Sequence, residues 1–218
     1  MAATGGAFAL AGCTTVRTDD PDPVESAPER SFVSMYGAMP NEDFPIPPVD
    51  LTKVDEKFYR RLVDDPTGAA PGTIVVDTSK YFLYLVRIGG KAMRYGVGLG
   101  RQGFSWSGEG VIAWKQRWPK WTPPAEMIAR QPELAKYSAE NGGMPPGLDN
   151  PLGSRALYIF QDGKDTLFRL HGTPEYWTIG KAVSSGCVRL MNQDIVDLYD
   201  RVPSQTPIIV RRGVGLDV

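Results

Sequence analysis

Two side chains in this 218-residue chain have the types needed for covalent acyl chemistry: the thiol of Cys187 and the imidazole of His171, the only histidine present. A cysteine attacks a carbonyl carbon as its thiolate, so it needs a base, and the base needs a third group to orient it. Cys187 closes the run Ser184-Ser185-Gly186-Cys187. Glycine before the cysteine lets the backbone turn tightly and leaves the thiol accessible. The amides of Gly186 and Cys187 at such a turn would receive a developing oxyanion. Arg189 lies two residues further on, where a guanidinium can favour a thiolate or grip a carboxylate bidentately. His171 ends a strand-like run, where a side chain can face a cleft. Against this stands a plainer reading, in which a solitary cysteine is a small buried hydrophobe and a solitary histidine a structural hydrogen-bonding group. Residue types alone leave both open.

The same scarcity narrows the chemistry. With one histidine and two cysteines, Cys13 and Cys187, a metal site built from several His or Cys ligands is almost excluded, and no cofactor is expected. Lys and Arg number 24 against 25 Asp and Glu, a net charge of −1. That balance argues against nucleic acid as a partner and against a polybasic membrane surface. At this length one domain with a sizeable core is expected. The 24 glycines and 19 prolines point to a turn-rich, strand-rich chain.

The elements that must position Cys187 and His171 follow from periodicity. Runs of β-branched and aromatic residues at 73–77 and 81–87 read as strands; 91–97, which follows the Gly89-Gly90 turn, and 110–115, 156–160 and 166–170 are further strand candidates. Asp162-Gly163 signals a hairpin, with three or more loop residues. After Arg189 the period becomes helical through Ile195, Val196, Leu198, Tyr199 and Val202, with Asn192 as the expected cap. Pro203 stops that helix, and 207–210 closes as a last strand. Upstream, Val54, Phe58 and Leu62 at i, i+4, i+8 predict a short helix capped by Asp50 or Thr52. The stretch 114–151 fits neither period. It carries Trp114, Trp118 and Trp121, a helix expected over 125–137, and Gly142 to Gly147; a segment this long between strands is a lid or a surface cover. The fold class expected is mainly β, a compact sandwich or barrel-like sheet pair with one late helix and one long inserted loop.

Several of these residues together resemble a known family. His171-Gly172-Thr173, then Ile179-Gly180, then Ser184-x-Gly186-Cys187-Val188-Arg189-Leu190 is similar to the signature of the bacterial L,D-transpeptidase catalytic domain, also called YkuD-like. Asn150-Pro151-Leu152-Gly153 before a strand adds to the match, which covers roughly 72–212. The resemblance implies a YkuD-type fold and a peptidoglycan stem peptide as partner. It implies Cys187 as nucleophile and His171 as base, with the backbone carbonyl of Gly172 holding the other ring nitrogen. Gly186, Ser184, Ser185 and Arg189 would form the oxyanion and substrate-binding surround. Many members carry a second histidine where this chain has Ser185, a difference that bears on acceptor positioning. The acceptor would be a diaminopimelate-type amine, water (an L,D-carboxypeptidase) or a protein.

The N-terminus reads separately. Residues 2–12 are small or apolar and end on Leu10-Ala11-Gly12-Cys13, which resembles a bacterial lipobox with Cys13 as the lipidation point. No Lys or Arg precedes that run, a departure from an ordinary export signal. Residues 14–30 have the acidic, proline-rich composition of a tether. The organisation expected is a signal-like segment and tether over 1–30, an extension over 31–71, the catalytic domain over 72–212 and a tail over 213–218, in the periplasm or cell envelope. A papain-like hydrolase, in which the cysteine precedes the histidine, and a non-enzymatic cell-wall-binding lipoprotein are the competing readings.

Overall fold

The computed structural model describes residues 1–2, 31–100, 106–184 and 186–212. The expectations for Cys13, Ser185, the tether and the tail 213–218 lie outside these residues. The architecture is mainly β. Strands run β1 Arg61–Asp64, β2 Ile74–Asp77, β3 Phe82–Arg87, β4 Lys91–Gly96, β5 Leu99–Gly100, β6 Gly108–Arg117, β7 Arg155–Gln161, β8 Lys164–Thr173, β9 Ala182–Ser184, β10 Val188–Met191 and β11 Thr206–Arg211. Helices are α1 Phe32–Met35, α2 Ala125–Arg130 and α3 Asn192–Arg201.

Nine strands form one sheet in the order β1-β4-β3-β2-β11-β6-β7-β8-β10, and β5 pairs with β9 beside it. Neighbours are antiparallel except β2–β11 and β8–β10 in the large sheet and β5–β9 in the small one. Backbone bonds between Gly98 and Arg189, at 2.9 and 2.8 Å, bring the edge strand β10 back against the chain leaving β4. The sheet thereby curls towards a barrel. Its main core gathers Ile74, Leu83, Tyr95, Ile112, Leu157, Ile159, Leu170, Val188 and Leu190 around Ile195 and Leu198 of α3. Lys115 donates to the carbonyls of Tyr199 (2.7 Å) and Val202 (2.5 Å), placing a cation at the C-terminal end of α3.

Side chains alternate along a strand. Since Leu157, Leu170, Val188 and Leu190 enter this core, the intervening Tyr158, Arg169, His171 and Arg189 take the opposite face.

Four local expectations change. Residues 51–62 are not one helix. Asp50 accepts from the Thr52 amide and Asp55 from the Lys57 amide, capping two separate 3₁₀ turns at Leu51–Lys53 and Glu56–Phe58. Val54 and Phe58 are buried, but Leu62 is exposed in β1. The β7–β8 hairpin has a two-residue loop, because Gln161 pairs with Lys164. Asp162 (φ 51°) and Gly163 (φ 75°) both take the left-handed conformation that closes such a turn. The helix expected over 125–137 breaks at Pro132 into α2 and a 3₁₀ segment, Pro132–Tyr137. Asn192 is the first residue of α3 rather than its cap, and its side chain is engaged elsewhere.

The segment 31–60 is tied to the barrel by buried polar clamps. Glu42 takes a bidentate bond from Arg155 (2.9 and 2.7 Å) and a third from the Trp118 indole (3.0 Å). Tyr36 donates to Asp194 of α3 (3.2 Å), and Arg60 lies 3.4 Å from that carboxylate and 3.3 Å from Asp197. Tyr36, Val54, Phe58 and Tyr59 form a second core with Ile179 and Met191. β1 also adds a strand to the sheet by pairing with β4.

Candidate active site

β8 and β10 carry the site. Their parallel register sets Val188 opposite Leu170 and Arg189 opposite His171. Cys187 immediately precedes β10, so it falls beside Arg169, and the Arg169 backbone N–H donates to its sulfur. Thiol and imidazole therefore come from adjacent strands, offset by two residues along β8, a diagonal that longer side chains can bridge. Cys187 is half-buried and forms no disulfide with any described residue.

The imidazole is oriented by its own neighbour. His171 Nδ1 lies 2.5 Å from the carbonyl oxygen of Gly172. A carbonyl only accepts, so Nδ1 carries the proton and Nε2 keeps its lone pair. Burial, with His171 4% exposed, pushes the imidazole down to about 4; the Gly172 contact opposes this, and the Arg189 and Arg169 charges add to it. Burial likewise pushes the Cys187 thiol up, against the Arg169 N–H and the two guanidiniums. Near neutral pH the pair is thus a neutral thiol beside a neutral imidazole. In that state Nε2 is able to accept a proton, and the two groups form no resting ion pair.

The Gly172 carbonyl is held by close packing at Asn192. Asn192 Oδ1 accepts from the Ser154 amide at 2.9 Å. It sits where a Cβ on either Gly172 or Gly153 would fall. Gly153, with φ 60°, lets the chain entering β7 touch the Gly172 backbone. Asn150, fully buried, fastens the start of this turn through bonds to the Pro119 and Pro145 carbonyls, each 3.0 Å, and accepts from the Leu152 amide at 2.9 Å. Asn150-Pro151-Leu152-Gly153 therefore braces the His171-Gly172 end of β8. The Ile179-Gly180 pair has a similar task, because the Phe58 ring occupies the place of a Cβ on Gly180.

Gly186 has φ 130°, a conformation that favours glycine, directly before the thiol. Ser184 closes β9. Arg189 forms a 2.8 Å ion pair with Glu175, a residue the sequence reading did not single out. Its side chain is 16% exposed and Glu175 is 50% exposed. Arg169 was likewise overlooked. It is clamped bidentately by Asp165 at 2.7 and 2.8 Å, and its guanidinium lies 4.3 Å from the centre of the Tyr158 ring. Arg169 reaches the thiol only through the register of β8 and β10, and Glu175, on the turn that follows β8, is placed by its pair with Arg189.

The site thus holds a half-buried cysteine at a glycine turn and, on the adjacent strand, an oriented imidazole. The model of the YkuD L,D-transpeptidase catalytic domain matches residues 71–210. The chain belongs to this family, a family of enzymes. It is 36% identical over 150 residues to "Probable L,D-transpeptidase ErfK/SrfK" of Salmonella typhimurium, covering 66% of this chain and 46% of the relative. It is 42% identical over 94 residues to "Probable L,D-transpeptidase YbiS" of Escherichia coli K12, covering 43% of this chain and 28% of the relative. The chain thus matches less than half the length of each of these curated relatives. A Brucella melitensis crystal structure is 47% identical, with a TM-score of 0.50, covering 71% of this chain and 94% of that one. It bears the name "Probable carnitine operon oxidoreductase caia". That name differs in class from the family's, and it belongs to that protein alone; membership here rests on the match over 71–210.

Proposed function

We propose that the chain is an L,D-transpeptidase acting on peptidoglycan stem peptides through a Cys187 thioester. His171 Nε2 takes the thiol proton as sulfur attacks the carbonyl carbon of the third residue of a donor tetrapeptide. The oxyanion is received by the amides at the Gly186–Cys187 turn. As the tetrahedral adduct collapses, the bond to the terminal D-alanine breaks, and the imidazolium returns its proton to the leaving amine. A diaminopimelate-type amine then attacks the thioester. His171 removes a proton from that amine, and the departing thiolate takes it back as the thiol. Arg189 orients the donor by charge. Water or a protein amine in place of the acceptor would give trimming or attachment by the same site.

One observation carries this reading: the bond from His171 Nδ1 to Gly172, which leaves Nε2 as the base in a chain of this family. A cell-envelope location, with a lipid on Cys13, is proposed from the Leu10-Ala11-Gly12-Cys13 run alone. Labelling cells with a fatty-acid probe tests it, since the label should be lost in Cys13→Ala. Mass spectrometry of muropeptides after incubation with the protein tests the activity. Cross-linked or trimmed stems, absent with Cys187→Ala, are expected; unaltered muropeptides would refute it, and would leave the cell-wall-binding lipoprotein as the reading.

A further inference from the structure

An aromatic row leads away from the thiol across the face of the sheet that carries His171. Trp114 of β6 pairs with Tyr158 of β7, and Tyr158 pairs with Arg169 of β8, the residue beside Cys187. The Trp114 and Tyr158 rings are 4.2 Å apart, and the Arg169 guanidinium covers Tyr158 at 4.3 Å. Asp165 holds that guanidinium bidentately, so Tyr158 is fixed between two partners. Trp114 is 51% exposed, a large flat surface anchored from beneath and open above. Lys115, its neighbour, turns inward to α3, which leaves Trp114 on the side of His171 and Arg189.

We infer that Trp114 is a saccharide subsite, where the sugar ring that carries the donor stem stacks while its peptide reaches Cys187. The inference rests on the stem-peptide reading above. Three strand spacings separate Trp114 from Cys187, about 14 Å. Three extended residues span about 10 Å, and the acyl link joining them to the sugar adds a few more. A stem crossing the strands over Arg169 and Tyr158 would therefore set its sugar on Trp114. The ring's C–H face, slightly positive, suits the negative π face of the indole.

The test compares kcat/KM for a disaccharide-linked tetrapeptide with that for the sugar-free tetrapeptide. The ratio cancels any change in the folded fraction. The wild-type chain should prefer the sugar-linked donor. Trp114→Leu, which keeps apolar contact with Tyr158 but lacks a ring, should lower the ratio about tenfold, and Trp114→Phe should restore most of it. A ratio near one in the wild type, or one unchanged by Trp114→Leu, overturns the inference and leaves the stem-peptide reading standing. If neither donor is turned over, that reading has failed. The subsite is then judged by titrating the peptide-free disaccharide and following the Trp114 indole N–H resonance, assigned with Trp114→Phe. A shift of that resonance supports the subsite, and none at the solubility limit of the sugar overturns it.

Discussion

His171 is hydrogen-bonded at 2.5 Å to the carbonyl of Gly172, the residue that follows it. The imidazole is thus oriented by the backbone of its own strand. Burial and the two guanidiniums of Arg189 and Arg169 oppose its protonation.

This relationship sets the pH dependence. With the imidazole pushed down to about 4, Nε2 is unprotonated and able to act as base at any pH well above that value. The acid limb of kcat/KM should therefore lie near pH 4, and activity should persist at pH 5.5. An imidazole at its ordinary value near 6.5 would have lost most of its base form there. Because burial pushes the thiol up, alkylation of Cys187 by iodoacetamide should be slow at pH 7 and still rising at pH 9. A plateau below pH 7 would indicate a resting thiolate and contradict the neutral pair.

Asn192 is a positioning residue for the Gly172 carbonyl. Asn192→Ala removes the acceptor of the buried Ser154 amide, at a cost of about 1–3 kcal/mol, and leaves space beside Gly153 and Gly172. Thermal unfolding should shift down accordingly. Looser orientation of the imidazole should lower kcat by about tenfold or more, with KM changed far less. A fall in stability alone, with kcat intact, would assign Asn192 to packing only.

In the proposed mechanism Glu175 competes with the donor for Arg189. The pair is short at 2.8 Å, but its carboxylate side is half exposed, and such pairs are worth at most about 1 kcal/mol. Glu175→Gln should therefore lower KM for an anionic donor by no more than about fivefold. Arg189→Ala should raise it. Steady-state kinetics on both variants checks the sign; a higher KM in Glu175→Gln would mean that Glu175 holds Arg189 in its working position.

Glu42 supports the fold from outside the family match. Arg155 is 3% exposed and takes both oxygens of Glu42. Glu42→Ala would leave a buried guanidinium without its carboxylate, costing about 3–5 kcal/mol. For a chain of this size the melting temperature should fall on the order of 10 °C. Equal stability in calorimetry would show that the segment 31–60 is only loosely held.

Much of this was readable from residue types. The strand runs at 73–77, 81–87 and 91–97 fell close to β2, β3 and β4, the first through its β-branched residues and the second through its apolar and aromatic ones. Cys187 and His171 stood out by scarcity and by the glycines beside them. Other features depend on pairings that no local pattern encodes. Val54, Phe58 and Leu62 mimic a helical period, yet two aspartates cap separate turns and Leu62 joins a strand. Asn192 looked like a helix cap, but Ser154, distant in sequence, takes its oxygen. Arg169 and Trp114 acquire their places only through the register of β6, β7, β8 and β10, and Glu175 only through its pair with Arg189.

The central claim, that Cys187 is the nucleophile, is tested most directly by mass spectrometry of the protein quenched in acid during turnover of a tetrapeptide donor. The peptide containing Cys187 should gain the mass of the donor less its terminal D-alanine, and Cys187→Ala should neither carry that mass nor release D-alanine. Release of D-alanine at an undiminished rate from Cys187→Ala, or the acyl group on another residue, would contradict it.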